Sequence, residues 1–203
     1  MAEPQRTRSA RPGAVSFFLE LPGLLLAALV VAVLIKTFII QPFYIPSVSM
    51  THTLEVNDRV MVSKLSYQFG DIQRGDVVVF ETGPHQDLSA PEAVVRAVLD
   101  ALGIRSSTNE DLIKRVIALG GDTIEIAENH VLVNGQAIDE PYLNDASMMA
   151  DMPERTVPEG QIWVMGDNRN ESSDSRVFGA IDVDEVVGEA VVRIWPVDRI
   201  GDL

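Results

Sequence analysis

Short apolar runs separated by turn-forming residues cover most of the chain beyond residue 58. Apolar and polar residues that alternate with period two are typical of a half-buried strand, and a short Val-rich run is typical of a fully buried one. The predicted strands are 59–62, 76–81, 123–126, 130–133, 161–165 and 186–195. Residues 127–129 are placed to close a hairpin, and Asn134-Gly135 is a strong turn signal. The pattern therefore predicts a mainly β, sheet-based domain.

Residues 89–103 break this pattern. Ser89-Ala90-Pro91-Glu92 resembles a helix-capping box, and Gly103 is placed to end a helix. Five apolar residues recur between them at helical spacing: Val94, Val95, Val98, Leu99 and Leu102. We therefore predict a short helix inside an insertion of about residues 84–111.

A second excursion from the β core is predicted at about residues 128–160, and its part from 139 onward is a loop rich in Asp, Met, Pro and Glu. Met148, Met149 and Met152 are placed either to touch lipid or to pack beneath this loop. Packing is the favoured interpretation, because methionine fills irregular gaps in protein cores.

The most apolar stretch lies near the N-terminus, at residues 16–40. Its span of about 18 residues, 21–38, is close to the roughly 20 that cross a bilayer. Three arginines precede it and few basic residues follow, which by the positive-inside rule predicts a cytoplasmic tail at 1–16, a single transmembrane anchor at 17–40 and an extracytoplasmic domain at 41–203. A cleaved signal peptide is disfavoured because the bulky residues 36–42 offer no small-x-small cleavage site. A buried core helix is the other alternative.

Composition narrows the chemistry. The net charge of −14 makes nucleic acid an unexpected partner, and the absence of cysteine excludes a thiol nucleophile, a cysteine-ligated zinc site and disulfides. His52, His85 and His130 are scattered without a metal-binding spacing, and the chain has neither a P-loop nor a G-x-S-x-G elbow. No metal or cofactor is expected.

Ser49 is the first candidate for chemistry. Pro42 and Pro46 impose extended geometry on the residues before them, so Ser47 and Ser49 would share one side of the chain just beyond the apolar stretch. The alternative is a polar turn without chemical function, because serine is common in turns.

Lys114 is the second candidate. In a strand it would share a face with Leu112, Val116 and Ala118, where burial disfavours the charged amine and lowers its pKa. A neutral lysine can take the proton of a serine hydroxyl. In the alternative interpretation, its stem lies on the sheet and its amine reaches water. Arg115, on the opposite face, is interpreted as ordinary surface charge.

A third polar segment, residues 166–176, follows the strand predicted at 161–165. Asp174 with Arg176, or Asp167 with Arg169, would form an ion pair that keeps this loop rigid. The alternatives are a solvated turn and a calcium loop, and the second lacks the required ligand spacing.

Taken together and in order, these segments resemble the bacterial type I signal peptidases (leader peptidases), which are membrane-anchored Ser–Lys endopeptidases. The resemblance covers roughly residues 20–196. The segments that carry it are Pro42-Phe43-Tyr44-Ile45-Pro46-Ser47-Val48-Ser49-Met50, Arg74-Gly75-Asp76-Val77-Val78-Val79-Phe80, Ile113-Lys114-Arg115-Val116-Ile117 with Gly121-Asp122, and Gly166-Asp167-Asn168-Arg169 through Ser172, Asp174, Ser175 and Arg176. The chain departs from the family at Thr51-His52-Thr53-Leu54, which lacks a usual proline, and at Leu119-Gly120-Gly121-Asp122.

The resemblance implies catalytic roles for five groups. Ser49 would be the nucleophile and Lys114 its general base, while Ser172 would orient the lysine amine. The Ser47 hydroxyl and the Ser49 backbone N–H would form the oxyanion hole. Asp174 and Arg176 would maintain the shape of the site. The residues expected to line shallow pockets for small side chains are Phe43, Ile45, Met50 and Ile113.

The resemblance also implies the substrate and the setting. Signal peptides of preproteins would lie extended along an edge strand and be cut after Ala-x-Ala, at the cytoplasmic membrane. The bilayer and the secretion translocase are the further partners it implies. Two rival classes are a non-catalytic membrane-tethered binding module and a self-cleaving Ser–Lys repressor. The repressor would need a basic DNA-reading domain where this chain has its apolar stretch.

Overall fold

The computed structural model describes residues 14–82, 110–144 and 146–203. The α-helices are α1 (Ala14–Phe38), α2 (Ser66–Phe69) and α3 (Ser175–Phe178). The strands are β1 (Ile40–Tyr44), β2 (Arg59–Ser63), β3 (Val77–Thr82), β4 (Glu110–Leu119), β5 (Thr123–Ala127), β6 (His130–Val133), β7 (Gln136–Ala137), β8 (Met152–Thr156), β9 (Gln161–Met165), β10 (Ile181–Asp182), β11 (Val186–Trp195) and β12 (Gly201–Asp202). Two short 3₁₀ helices, Val183–Glu185 and Val197–Arg199, flank β11.

The mainly β prediction is confirmed by two antiparallel sheets. The first has eight strands in the order β1-β2-β11-β3-β4-β9-β10, with β12 paired to β11. The second has the order β7-β6-β5-β8. The strands predicted at 130–133, 161–165 and 186–195 coincide with β6, β9 and β11. The hairpin predicted at 127–129 is present, because Ala127 pairs with His130 across the two left-handed residues Glu128 and Asn129.

The main sheet is buried on both faces around β3. Val77 and Val79 pack into one apolar cluster with Val60 and Val62 of β2, while the intervening residues of β3 pack into another cluster on the opposite face. This explains the continuous valine run, because each such side chain contributes about 1.5–3 kcal/mol when fully buried. A third cluster joins the apolar residues of the second sheet to Ile117 and Ala118 of β4 and to Trp163 and Met165 of β9.

The second sheet corrects the interpretation of residues 128–160 as a simple excursion. Three strands, β6, β7 and β8, lie within this range and pair with β5 or with each other. Met149 and Met152 are buried in the cluster of this sheet, as the packing hypothesis predicted, whereas Met148 is exposed.

A register shift in β4 corrects the predicted face of Ala118. Val116 pairs with Val164, but the next paired residue, Ala118, lies opposite Trp163. Ala118 therefore packs with Ile117 in the cluster of the second sheet, away from Val116. A β-bulge of this kind cannot be read from alternation alone.

Two predictions near the ends of the described ranges remain open. The helix predicted at 89–103 lies outside the described residues, and β4 already begins at Glu110, inside the range given to the insertion. The predicted anchor falls on the 25-residue helix α1. Within the described residues, no helix is long and apolar enough to cross a membrane. The anchor and the domain boundaries therefore stay predictions.

Candidate active site

Ser49 lies in a loop whose two ends are joined at the end of β1. The Ile45 N–H donates to Asp58 O at 3.0 Å, and the Asn57 N–H donates to Ile45 O at 3.0 Å. Inside the loop, the N–H groups of Thr53 and Leu54 both donate to Met50 O. These bonds fold the chain back immediately after Ser49, whose side chain is buried.

Lys114 comes from the middle of β4 and meets this loop. Its Nζ lies 2.8 Å from Ser49 Oγ and donates to Ile113 O at 2.9 Å. Cross-strand pairing places Lys114 opposite Val78, and the lysine is only 2% exposed. The structure therefore brings the two predicted residues into hydrogen-bond contact, and the interpretation of Lys114 as a lysine that reaches water is wrong.

Burial lowers the pKa of Lys114 from 10.5 to about 8, although the carboxylates of Asp174 and Asp167 act in the opposite direction. Removing an ammonium group from water disfavours its charged form, and this effect is larger here than the attraction of the two carboxylates. An amine with a pKa near 8 is partly neutral close to neutral pH. Chemically, it can accept a proton from Ser49.

The 166–170 loop holds the turn that carries Ser49. The backbone N–H of Asn168 donates to Ser49 O at 3.1 Å, and its side-chain amide donates to Val48 O at 3.1 Å. Ser47 Oγ lies 3.3 Å from Ser49 Oγ. The Ser49 N–H donates to no hydrogen-bond acceptor among the described residues. The Ser49 N–H is therefore available as a donor. Together with the Ser47 hydroxyl, it would supply the two donors that an oxyanion hole needs.

Gly166 allows Ser172 to approach the Ser49 turn. A Cβ atom at position 166 would overlap both the Ser172 hydroxyl and the Ser49 carbonyl oxygen. Ser172 Oγ is buried close to Asp174, yet no described atom forms a hydrogen bond of acceptable geometry with it, Lys114 Nζ included. Its predicted orienting role stays a prediction.

The predicted ion pair between Asp174 and Arg176 is present and is bidentate. Arg176 Nε and Nη2 each donate to one Asp174 carboxylate oxygen at 2.8 Å, and the Gly166 N–H donates to the same carboxylate at 3.0 Å. Burial alone would raise the pKa of Asp174, but the hydrogen bonds from Arg176 and Gly166 outweigh it, so the pKa is lowered. The pair therefore fixes the loop beside Ser172.

Arg115 is buried, and its interpretation as ordinary surface charge is wrong. It donates to both carboxylate oxygens of Asp167, at 2.9 and 2.7 Å, and to Gly75 O at 2.7 Å. Its guanidinium carbon also lies 4.1 Å from the centre of the Tyr142 ring. An arginine and a carboxylate can be buried together when, as here, their charges and hydrogen-bonding groups are paired.

The alternative pairing of Asp167 with Arg169 is also wrong. Arg169 pairs with Glu140 at 2.5 Å, while Asp167 receives Arg115 and the hydroxyl of Thr53, the latter at 2.5 Å. Sequence reasoning missed Thr53, Tyr142 and Glu140. The sequence offers one signal of this network. Arg115 follows Lys114 in an apolar strand, and when both faces of such a strand are buried, neighbouring residues are buried together.

The four predicted pocket residues belong to one apolar cluster and are all buried. Phe43 and Ile113 keep 8% and 6% of their surface exposed, whereas Ile45 and Met50 keep 1% or less. Among the described residues, no group of three or more His, Asp or Glu side chains could hold a metal ion. The pocket role stays a prediction.

A buried serine hydroxyl beside a buried lysine of lowered pKa is the arrangement of serine peptidases that use lysine as the base. The profile of the family described as "Signal peptidase, peptidase S26" matches residues 18–195. The chain belongs to this signal peptidase family.

Similar proteins agree with this assignment. Signal peptidase I of Mycobacterium tuberculosis (strain ATCC 25618 / H37Rv) is 38% identical, over 97% of this chain and 79% of its own length. Signal peptidase I of Leptolyngbya laminosa is 39% identical over 98% and 91%, and signal peptidase IB of Staphylococcus aureus (strain Mu50 / ATCC 700699) is 33% identical over 83% and 85%. A crystal structure of a signal peptidase I from Enterococcus faecalis V583 matches 59% of this chain and 97% of its own, at 26% identity and with a TM-score of 0.42. The chain is thus similar to signal peptidases over most of its length.

Proposed function

We propose that the protein cleaves N-terminal signal peptides from exported preproteins, with Ser49 as nucleophile and neutral Lys114 as general base. The observation that carries the proposal is the 2.8 Å contact between Lys114 Nζ and Ser49 Oγ in a buried site where the lysine pKa falls to about 8. Family membership supports the substrate class, and the geometry supports the assignment of roles.

The reaction has two steps. Ser49 Oγ attacks the carbonyl carbon of the residue before the scissile bond (P1) while Lys114 accepts its proton. The tetrahedral oxyanion is bound by the Ser49 N–H and the Ser47 hydroxyl. Lys114 then protonates the leaving amine, the C–N bond breaks and an acyl ester remains on Ser49. A water molecule, deprotonated by Lys114, attacks this ester, and Ser49 regains a proton as the signal peptide leaves.

Ser172 and the Asp174–Arg176 pair would serve Lys114 from the 166–176 loop. A lysine amine has three hydrogen-bond positions, and two of those on Lys114 are directed at Ser49 and Ile113. We assign the third to Ser172 Oγ, which is buried without a partner among the described atoms. Such a bond would hold the neutral amine with its lone pair toward Ser49.

The substrate would add a strand to the N-terminal half of β4. From Arg115 onward β4 pairs with β9, whereas residues 110–114 pair with β3 and with no other described strand. An extended peptide on this edge would place its carbonyl groups beside Ser49. Small side chains at P1 and P3, as in Ala-x-Ala, suit a site lined by Phe43, Ile45, Met50 and Ile113. Little of the surface of these four residues is exposed, so such a site would be shallow.

We further propose that the apolar stretch of residues 17–40 anchors the enzyme in the cytoplasmic membrane, with the N-terminus inside and the β domain outside. The support is the apolar sequence of α1 and the four exposed leucines on it, Leu24, Leu25, Leu26 and Leu29. Anchoring would place Ser49 where preproteins leave the secretion translocase, which raises the local substrate concentration. If the anchor is real, protease added to intact spheroplasts will digest the β domain and alkaline carbonate will not extract α1. Release by carbonate would contradict it.

The central test uses a preprotein with an Ala-x-Ala site. The purified protein is expected to cut once, after the second alanine, as shown by the mass of both products. Ser49→Ala and Lys114→Met are expected to abolish the cut without unfolding the protein, as checked by circular dichroism. In cells, protein export that is unimpaired with either variant would instead favour the tethered binding module. Normal cutting by the purified Lys114→Met variant would show that Lys114 is not the base.

A further inference from the structure

A cavity of about 340 Å³ lies beside the loop that carries Ser172, Asp174 and Arg176. Its size is at the lower limit of ordinary ligand pockets, roughly 300 Å³, so it has room for one or two side chains. Of the residues that have a role in the proposed function, Ser172 and Arg176 line it. The rest of the wall comes from Ile126 of β5, from residues 150–152 at the start of β8, from Arg169 in the loop after β9 and from Val177 of α3.

Strand pairing indicates which part of a bound substrate would reach this cavity. In the proposed placement a peptide lies along residues 110–114 of β4, on the side away from β3, but from Arg115 onward β9 occupies that side, where Arg115 pairs with Met165. A peptide that runs parallel to β4 would therefore leave this strand beyond the scissile bond and cross the loop that follows β9. Ser172 stands at this crossing, because its hydroxyl packs against Gly166 beside the Ser49 carbonyl and its residue lines the cavity.

The walls of the cavity combine apolar and acidic character. Ile126 and Met152 form a buried apolar wall, and Val177 is exposed at the rim. The two arginines of the wall are neutralised, Arg176 by Asp174 and Arg169 by Glu140.

Asp151 supplies the one lining charge that is not balanced within the described residues. Its carboxylate accepts the Glu128 N–H at 3.1 Å, and no cation among the described residues pairs with it. The cavity therefore carries a net negative charge.

We propose that this cavity binds the first residues of the mature protein, those that follow the scissile bond, and that it favours apolar or basic side chains over acidic ones. The proposal depends on the proposed function, since it concerns the same substrate. It assigns Asp151, Met152 and Val177 a role in specificity and none in the chemistry of Ser49.

The test compares three peptides that share an Ala-x-Ala segment and differ only in whether the second residue after the cut is Leu, Lys or Glu. An Ala-x-Ala arylamide, which has no residues after the cut, provides the reference rate for each variant. The full chain in detergent is expected to prefer the Lys peptide to the Glu peptide. Asp151→Asn should reduce this preference by about two- to fivefold, as expected for one partly exposed charge pair.

Glu154→Gln is the matched control, because it removes the same charge from exposed β8 without lining the cavity. It is expected to leave the Lys-to-Glu preference as in the wild type. Val177→Trp, at a 75% exposed position, should lower kcat/KM for the Leu peptide relative to the arylamide. If Asp151→Asn and Glu154→Gln shift the preference equally, or if neither Asp151→Asn nor Val177→Trp shifts anything, the subsite is wrong while the proposed function stands. If the wild type cuts none of the four substrates, the proposed function itself fails.

Discussion

Thr53 joins the Ser49 loop to the polar network beneath it. Its hydroxyl donates to Asp167 at 2.5 Å, and its carbonyl accepts from Arg193 at 2.6 Å. Asp167 in turn holds Arg115, the residue next to Lys114. Ser49 and Lys114 are therefore positioned relative to each other partly through one threonine.

Thr53→Val keeps the shape of this residue and removes its hydroxyl. We expect the free energy of unfolding to fall by about 1.5–3 kcal/mol, because a hydrogen bond to a buried charged group is lost. We also expect kcat to fall more than KM changes, because the substrate groove is not touched. Denaturant unfolding and steady-state kinetics measure both effects, and Thr53→Ser should restore them. Full activity of Thr53→Val would show that the network does not position the dyad.

Asp174 should influence the pH at which the enzyme becomes active. Its negative charge raises the pKa of Lys114, so its removal lowers that pKa further. Since the neutral amine is the active form, the Asp174→Asn variant is expected to retain activity at lower pH than the wild type, although at a reduced rate. The pH dependence of kcat/KM measures this shift. A shift toward higher pH would contradict the assignment of Lys114 as the base.

Residue-scale patterns in the sequence predicted Ser49 and Lys114 but not their neighbours. Both residues carry a local signal, a proline-bounded serine and a lysine in an apolar strand. Arg115 was misjudged because alternation tells which face a residue lies on and not what lies opposite. Its partner Asp167 is distant in sequence and meets it only when β4 and β9 pair.

The loop after β9 is the element that brings the site together. Asn168 holds the Ser49 turn, Gly166 gives space to Ser172, and Asp174 caps α3 by accepting the Arg176 N–H. This loop has almost no regular secondary structure. It is rigid because its polar side chains are hydrogen-bonded to backbone groups.

Gly166→Ala should therefore act on catalysis. The added Cβ overlaps the Ser172 hydroxyl and the Ser49 carbonyl, so one of them must move. Misplacement of a catalytic group by about 1 Å can cost about 100-fold in rate, and we expect a loss of kcat/KM of that order. Gly201→Ala is the control, since no atom lies within 4 Å of its added Cβ. Equal activity of the two variants would mean that the loop does not fix the nucleophile.

Individual strands are easier to predict from the sequence than the way in which they pair into sheets. β6, β9 and β11 have clear apolar patterns and end at turn residues, so local chemistry defines them. β8 was interpreted as loop because Pro153 and three polar residues make it look irregular. It is an edge strand paired only with β5, where proline is tolerated, and that context is absent from the local sequence.

For the molecule as a whole, the buried lysine reduces stability. Its pKa in the folded protein is about 8, below its ordinary value of 10.5, so between these values the unfolded chain binds more protons. The free energy of unfolding must then rise with pH from about 8 to 10.5, and below pH 8 the full cost of burying the amine is present.

Lys114→Met removes this cost. The variant is expected to be more stable than the wild type at pH 7, by up to roughly 3 kcal/mol, and the difference should shrink as pH rises above 8. Denaturant unfolding at pH 7, 9 and 10.5 measures it. A variant less stable than the wild type at pH 7 would contradict a destabilising buried amine.

The most direct test of Lys114 as the general base is to replace its side chain with a chemical analogue. The chain contains no cysteine, so the thiol of Lys114→Cys can be alkylated selectively with 2-bromoethylamine to give a thioether analogue of lysine. The sulfur atom lowers the pKa of the amine. We expect Lys114→Cys to be inactive, alkylation to restore cleavage after Ala-x-Ala, and the restored activity to appear at lower pH than in the wild type. Restored activity with an unshifted pH dependence, or an active unalkylated variant, would show that Lys114 is not the base.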